Sequence, residues 1–176
     1  MHFLLYICLP TEEAKTSLQA RRQACRYLKQ EHFVSGGRFC GQCDYFSVGG
    51  RYSGMLTLLR LKHHHPREFQ QFLKQYQRAR KPGAALSFFK KAFPNFEGRI
   101  PINRSEVDFY GDQDDGQIMD EVLFAELKDG FDEYVTQAIA FEKPNVIFTD
   151  LDETEWPEEA ETAVGRHWVV TVEYHD

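Results

Sequence analysis

The 176-residue chain fits one packed domain, and a 42% hydrophobic, 14% aromatic composition supplies its core. No apolar run nears the roughly 20 residues of a membrane helix, and four scattered cysteines exclude a disulfide framework; the expectation is a soluble, cytoplasmic protein with no membrane partner. The net charge of −6 divides unevenly: residues 1–104 carry 18 Lys+Arg and 6 Asp+Glu, net +12, while residues 105–176 carry 3 and 21, net −18.

Met1 to Pro10 is apolar without a basic n-region or a small-residue cleavage site, so it reads as a first strand rather than a signal peptide. Thr11, followed by Glu12 and Glu13, suits a helix N-cap and acidic first turn. Ala14, Leu18, Cys25 and Leu28 then share a helical face to about Gln30. Val34 to Phe39 is a loop leading into a strand at 43–48. Met55 to Leu61 reads as a further strand. Pro66 opens a helix on Phe69, Phe72, Leu73 and Tyr76, and Ala85, Phe88, Phe89 and Ala92 suggest a shorter one.

Residues 94–116, with two prolines and three glycines, are expected to form an irregular surface segment. Ile118 to Phe141 reads as helical, broken near Gly130, and Asn145 to Thr149 as a strand. The last strand alternates: Trp168, Val170, Val172 and Tyr174 on a buried face, His167, Val169, Thr171, Glu173 and His175 on an accessible one. The fold expected is a single α+β domain over residues 1–176, with an antiparallel-rich sheet and helices packed on one face.

Several partial motifs carry no chemistry by themselves. Cys40 and Cys43 have metal-ligand or redox spacing, but a structural zinc needs four ligands, and only the run His63-His64-His65 offers a second pair. An inert cysteine pair and a solvated histidine turn are the preferred reading; Cys8 and Cys25 are expected in the core. Asp150-x-Asp152-x-Thr154 resembles the nucleophile motif of the haloacid dehalogenase superfamily, yet only 22 residues follow it. Asp112, Asp114 and Asp115 resemble a calcium loop, but Gly116 stands fifth instead of sixth. No cofactor is called for. Basic and aromatic residues interleave from Lys74 to Phe93, which fits either a phosphate-tracking surface or an amphipathic helix with a solvated basic face.

The densest segment is Asp44-Tyr45-Phe46-Ser47-Val48-Gly49-Gly50-Arg51-Tyr52-Ser53-Gly54, a short strand ending at a Gly-Gly pair. Glycines tolerate positive φ and close approach, so the bend is expected to present Arg51 and its aromatic neighbours. This segment resembles the Asp-aromatic-aromatic-x-x-Gly-Gly-Arg-aromatic-x-Gly signature of uncharacterised phage and bacterial proteins. The ending Thr171-Val172-Glu173-Tyr174-His175 is similar to theirs. The resemblance implies a phage or mobile-element setting and gives weight to Asp44, Arg51, Tyr52 and His175.

Two functions follow. In the first, the chain is a non-enzymatic binder, possible as an inhibitor, that recognises a host protein or nucleoprotein through Asp44, Tyr45, Gly49, Gly50, Arg51, Tyr52 and His175. Arg51 would grip a phosphate or carboxylate, Tyr45 and Tyr52 would stack, and nucleic acid could contact the basic half. In the second, Asp44, Arg51 and His175 converge as a hydrolase or transferase site on a nucleotide or nucleic acid. Arg51 can equally form a structural ion pair with Asp44. Without a complete catalytic signature, binding is preferred.

Overall fold

The computed structural model describes residues 2–29, 45–78, 82–96, 115–128, 145–148 and 163–175. It shows a mixed α+β arrangement built on β1 (His2–Pro10) and β5 (His167–His175). These pair antiparallel along their whole length, from His2 opposite His175 to Pro10 opposite His167. On its other side β1 pairs in parallel with β4 (Asn145–Phe148). The sheet order is β2-β5-β1-β4, with β2 being Tyr45–Val48 and a fifth strand, β3 (Gly116–Ile118), also on β5. Among the described residues only the β1–β4 pairing is parallel, so the sheet is rich in antiparallel pairs.

The outer side of β5 is shared. β2 pairs with Val172 to His175 and β3 with Trp168 to Val170. Thr171 lies between the two stretches, and its carbonyl accepts the Gly49 N–H at 2.7 Å. The Gly-Gly bend therefore stands where the chain leaves the sheet edge and another segment takes over.

Both faces of the central strands are covered, which corrects two expectations. Leu4, Tyr6 and Cys8 join one core cluster, while Leu5, Ile7 and Leu9 join another on the opposite face. The first cluster holds α2 (Met55–His64), α3 (Pro66–Arg78), α4 (Pro82–Ala92) and α5 (Glu121–Lys128). These four helices pack on one face, but α1 (Ser17–Tyr27) covers the other through Ala20, Ala24 and Leu28. The face of β5 expected to be accessible is buried as well: Val169 and Thr171 are fully enclosed, and Glu173 is 5% exposed. An alternating pattern fails to identify the solvent side when polar residues are themselves sealed by neighbouring elements.

Local capping explains the shifted boundaries. Thr11–Glu13 forms a 3-10 turn, and the helix begins only at Ser17. Between them Ala14 is extended (φ −149°), and its carbonyl accepts the Trp168 indole N–H at 2.9 Å. Thr16 caps the helix, its hydroxyl accepting the Gln19 N–H, while the Gln19 side chain accepts the Lys15 N–H at 2.7 Å. Met55 to Leu61, expected as a strand, lies in α2. Its leucines bury at helical spacing, and the outward Arg60 and Lys62 pair with Asp120 and Glu126 on α5 or just before it.

The helix at Pro66 and the shorter one ending at Ala92 are found, as is the strand at Asn145. Ile118, expected to start a helix, ends β3; α5 begins at Glu121, capped by the Asp120 carboxylate on the Leu123 N–H. The continuation past Lys128 and most of the 94–116 segment lie outside the described residues. Cys8 is buried and Cys25 half-buried. Among the described residues no helix is long and apolar enough to cross a membrane.

Candidate functional site

The bend begins where β2 ends. Gly49 has φ 73° and ψ −73°, and Gly50 has φ 54°. A 3-10 turn over Gly50–Tyr52 follows, closed by the Tyr52 N–H on the Gly49 carbonyl at 3.0 Å. Two independent constraints demand glycine here. Positive φ is the first. The second is space: a Cβ on Gly49 would stand 2.6 Å from Asp115 Cγ, and one on Gly50 would stand 2.7 Å from Glu173 Cβ.

The bend is thus wrapped over two carboxylates that are 3% and 5% exposed, Asp115 and Glu173. Asp115 accepts the Ser53 hydroxyl at 3.1 Å and the Gly54 N–H at 3.3 Å. Those bonds place a negative group at the N-terminus of α2, where the helix dipole favours it. Glu173 lies in β5 opposite Ser47 of β2. A second polar seam joins the same helix to the β3 region. Arg60 donates through Nε to Gln117 at 2.8 Å and through Nη1 to Asp120. Burial alone pushes the Asp120 carboxyl up, but the Leu123 N–H and the Arg60 guanidinium outweigh it and hold it below its ordinary value.

Gly49 and Gly50 stand together with Asp115, Glu173 and Ser53. Arg51 is the middle residue of the 3-10 turn. Tyr52, expected as a stacking surface, is a core residue at 2% exposure, sealed among Met55, Leu56 and their neighbours. Tyr45 and His175 pair with each other at the far end of β2. His175 stands four positions along β5 from the Thr171 junction, about 13 Å along the backbone. Asp44, Cys40 and Cys43 lie outside the described residues. Among the described residues no group of three or more His, Cys, Asp or Glu side chains is placed to hold a metal ion.

Sequence reasoning missed Asp115, Ser53 and Glu173. Asp115 sat in an acidic run that read as a loop, and Glu173 in an alternation that read as solvent-facing. The signals available were small: Asp115 immediately precedes the strand-forming Gly116, and Glu173 is flanked by valine and tyrosine.

The other charged feature is the layer formed by α2, α3 and α4. Residues 55–96 contain nine Lys or Arg and a single acid, Glu68, for a net charge of +8. Phe69, Phe72, Phe89 and Phe93 turn inward: Phe72 and Phe89 meet edge-to-face at 5.1 Å, Phe89 and Phe93 lie 4.9 Å apart, and Phe89 contacts Phe96 at 5.0 Å. Arg67, Lys74, Lys90 and Lys91 are exposed. The histidine run closes α2 and is exposed, with His63 Nδ1 3.2 Å from Glu126. Comparison with protein-family models, curated proteins and solved structures finds no significant match to this chain.

Proposed function

We propose that this protein is a binder of an anionic macromolecule and that the α2–α4 layer is its recognition surface. The observation that carries the reading is the group of four exposed cations Arg67, Lys74, Lys90 and Lys91 against one exposed acid, Glu68, over an aromatic core. Such a surface steers and orients a partner of opposite sign. The glycine bend supports the reading in a different way. Its two glycines and Tyr52 are absorbed into packing against Asp115, Glu173 and the core, so the segment acts as a rigid corner that fixes the start of α2. In the phage or mobile-element setting implied by the motif's resemblance, the binding would take the form of inhibiting host machinery.

The test is capture from a cell lysate by the wild type and by a variant with Arg67, Lys74, Lys90 and Lys91 changed to Gln. A partner held by the wild type and lost by the folded variant supports the reading, and equal capture by both refutes it. Hydrolysis of a nucleotide or nucleic acid by the wild type, abolished in His175→Ala, would replace it with the hydrolase reading. Arg51→Ala assigns the remaining residue: a folded protein that loses its partner makes Arg51 a contact, and an unfolded one makes it structural.

A further inference from the structure

We propose that the outer ridge of α3, with the last turn of α4, binds the phosphodiester backbone of nucleic acid. This rests on the binding reading above and gives the anionic partner a chemistry. On α3, Phe69, Phe72 and Leu73 point into the core. Arg67 and Lys74 are seven residues apart, which places them on one stripe opposite that buried side, about 10.5 Å apart along the axis. Both are exposed, as are Gln70, Gln71 and Gln75 around them. The ridge therefore offers two cations interspersed with amide donors.

The α4 helix widens the patch. It runs antiparallel to α3, since Phe89 meets Phe72 at 5.1 Å while Phe93 meets His65, just before α3, at 6.1 Å. Lys90 and Lys91 accordingly lie level with the first half of α3, at the roughly 8–10 Å separation of packed helices. The four exposed cations thus lie on neighbouring helices within about 10 Å along the axis, with Glu68, also exposed, the one acid on either helix. Phosphates follow one another every 3.4 Å or so along the axis of one strand, so a patch of that length meets about three of them. A convex helical ridge also matches a nucleic-acid groove about 12 Å wide. An acidic protein would have to supply a concave surface of matching charge, and it is the alternative outcome of the test.

The experiment is fluorescence anisotropy with labelled duplex DNA of about 20 base pairs, the matching single strand and an RNA of the same sequence. Salt is varied from about 50 to 200 mM. Binding to at least one of these is expected, and comparison among them identifies which nucleic acid is preferred. With about three phosphate contacts the slope of log affinity on log salt should be about −2 to −3. The Arg67→Gln, Lys74→Gln, Lys90→Gln, Lys91→Gln variant should bind at least tenfold more weakly at low salt with a slope near zero, while its circular dichroism spectrum matches the wild type. Absence of binding at about 50 mM salt, or an unchanged slope in the folded variant, overturns the proposal. So does equal affinity for polyglutamate. A nuclease-resistant protein partner lost by the same variant, without nucleic-acid binding, refutes this inference and leaves the binding reading standing. If the variant loses nothing in either assay, both fall.

Discussion

Gly50→Ala tests whether the bend is a packed structural corner. The substitution forces an L-residue to hold φ 54°, which costs about 1 kcal/mol. It also places a methyl 2.7 Å from Glu173 Cβ, a side chain 5% exposed within β5. Glu173 is held by strand pairing on both sides, to Leu4 and to Ser47, so its backbone cannot retreat cheaply. Overpacking of that kind adds about 1–3 kcal/mol. The total, about 2–4 kcal/mol, should lower the midpoint of thermal unfolding by roughly 5–15 °C for a chain of this size. Urea titration followed by circular dichroism measures it as a fall in the midpoint at constant slope. Combining Gly50→Ala with Glu173→Gly separates the terms: the double variant should lose less than the two single losses added together, because the new methyl no longer meets the Glu173 side chain. A loss under about 0.5 kcal/mol for Gly50→Ala, or strict additivity in the double variant, would refute the packed-corner argument.

Tyr6 is fully buried and its hydroxyl has no hydrogen-bond partner among the described residues, so burial pushes its ionisation well up; Tyr6→Phe should raise stability by up to about 1 kcal/mol in the same titration, and a loss would refute the orphaned hydroxyl. Asp120 has its carboxyl held below the ordinary value, so its contribution is present above the unfolded value near 3.8 and fades as pH falls through the lower folded one. Stability measured for wild type and Asp120→Asn should therefore differ at pH 7, by under about 1 kcal/mol for so exposed a pair, and converge as pH falls below 3.8; a gap that does not narrow in acid contradicts the assignment.

The strands at residues 2–9 and 167–174 were legible because their apolar content is dense enough to exclude other readings. So was the helix at Pro66, whose Phe69, Phe72 and Leu73 recur at helical spacing. Met55 to Leu61 was not: Thr57 and Arg60 interrupt too short an apolar run to decide its period, and the cap that fixes the helix start is Asp115, sixty-one residues from the Gly54 N–H it accepts. The site was half legible. Gly49 and Gly50 announced a bend, but the reason for them lies in Asp115 and Glu173, which reach the bend only through the pairing of β3 and β2 with β5. Tyr52 was misassigned for a related reason. A tyrosine beside an arginine reads as a contact surface until the helix that follows it is seen to fold over it.

The two strands at the centre of the sheet, β1 and β5, are separated by more than 150 residues of sequence. Nine residue pairs join them, and that backbone edge of β1 stays unpaired until β5 arrives. Loops of that length close slowly, and a chain emerging from the ribosome cannot complete the sheet until residues 167–175 have cleared the exit tunnel. Until then β1 presents an unpaired edge on which another chain can pair. Fragments ending before residue 167 should aggregate or be degraded instead of folding partially, and refolding of the whole chain should be slow because the sheet depends on such long-range pairings.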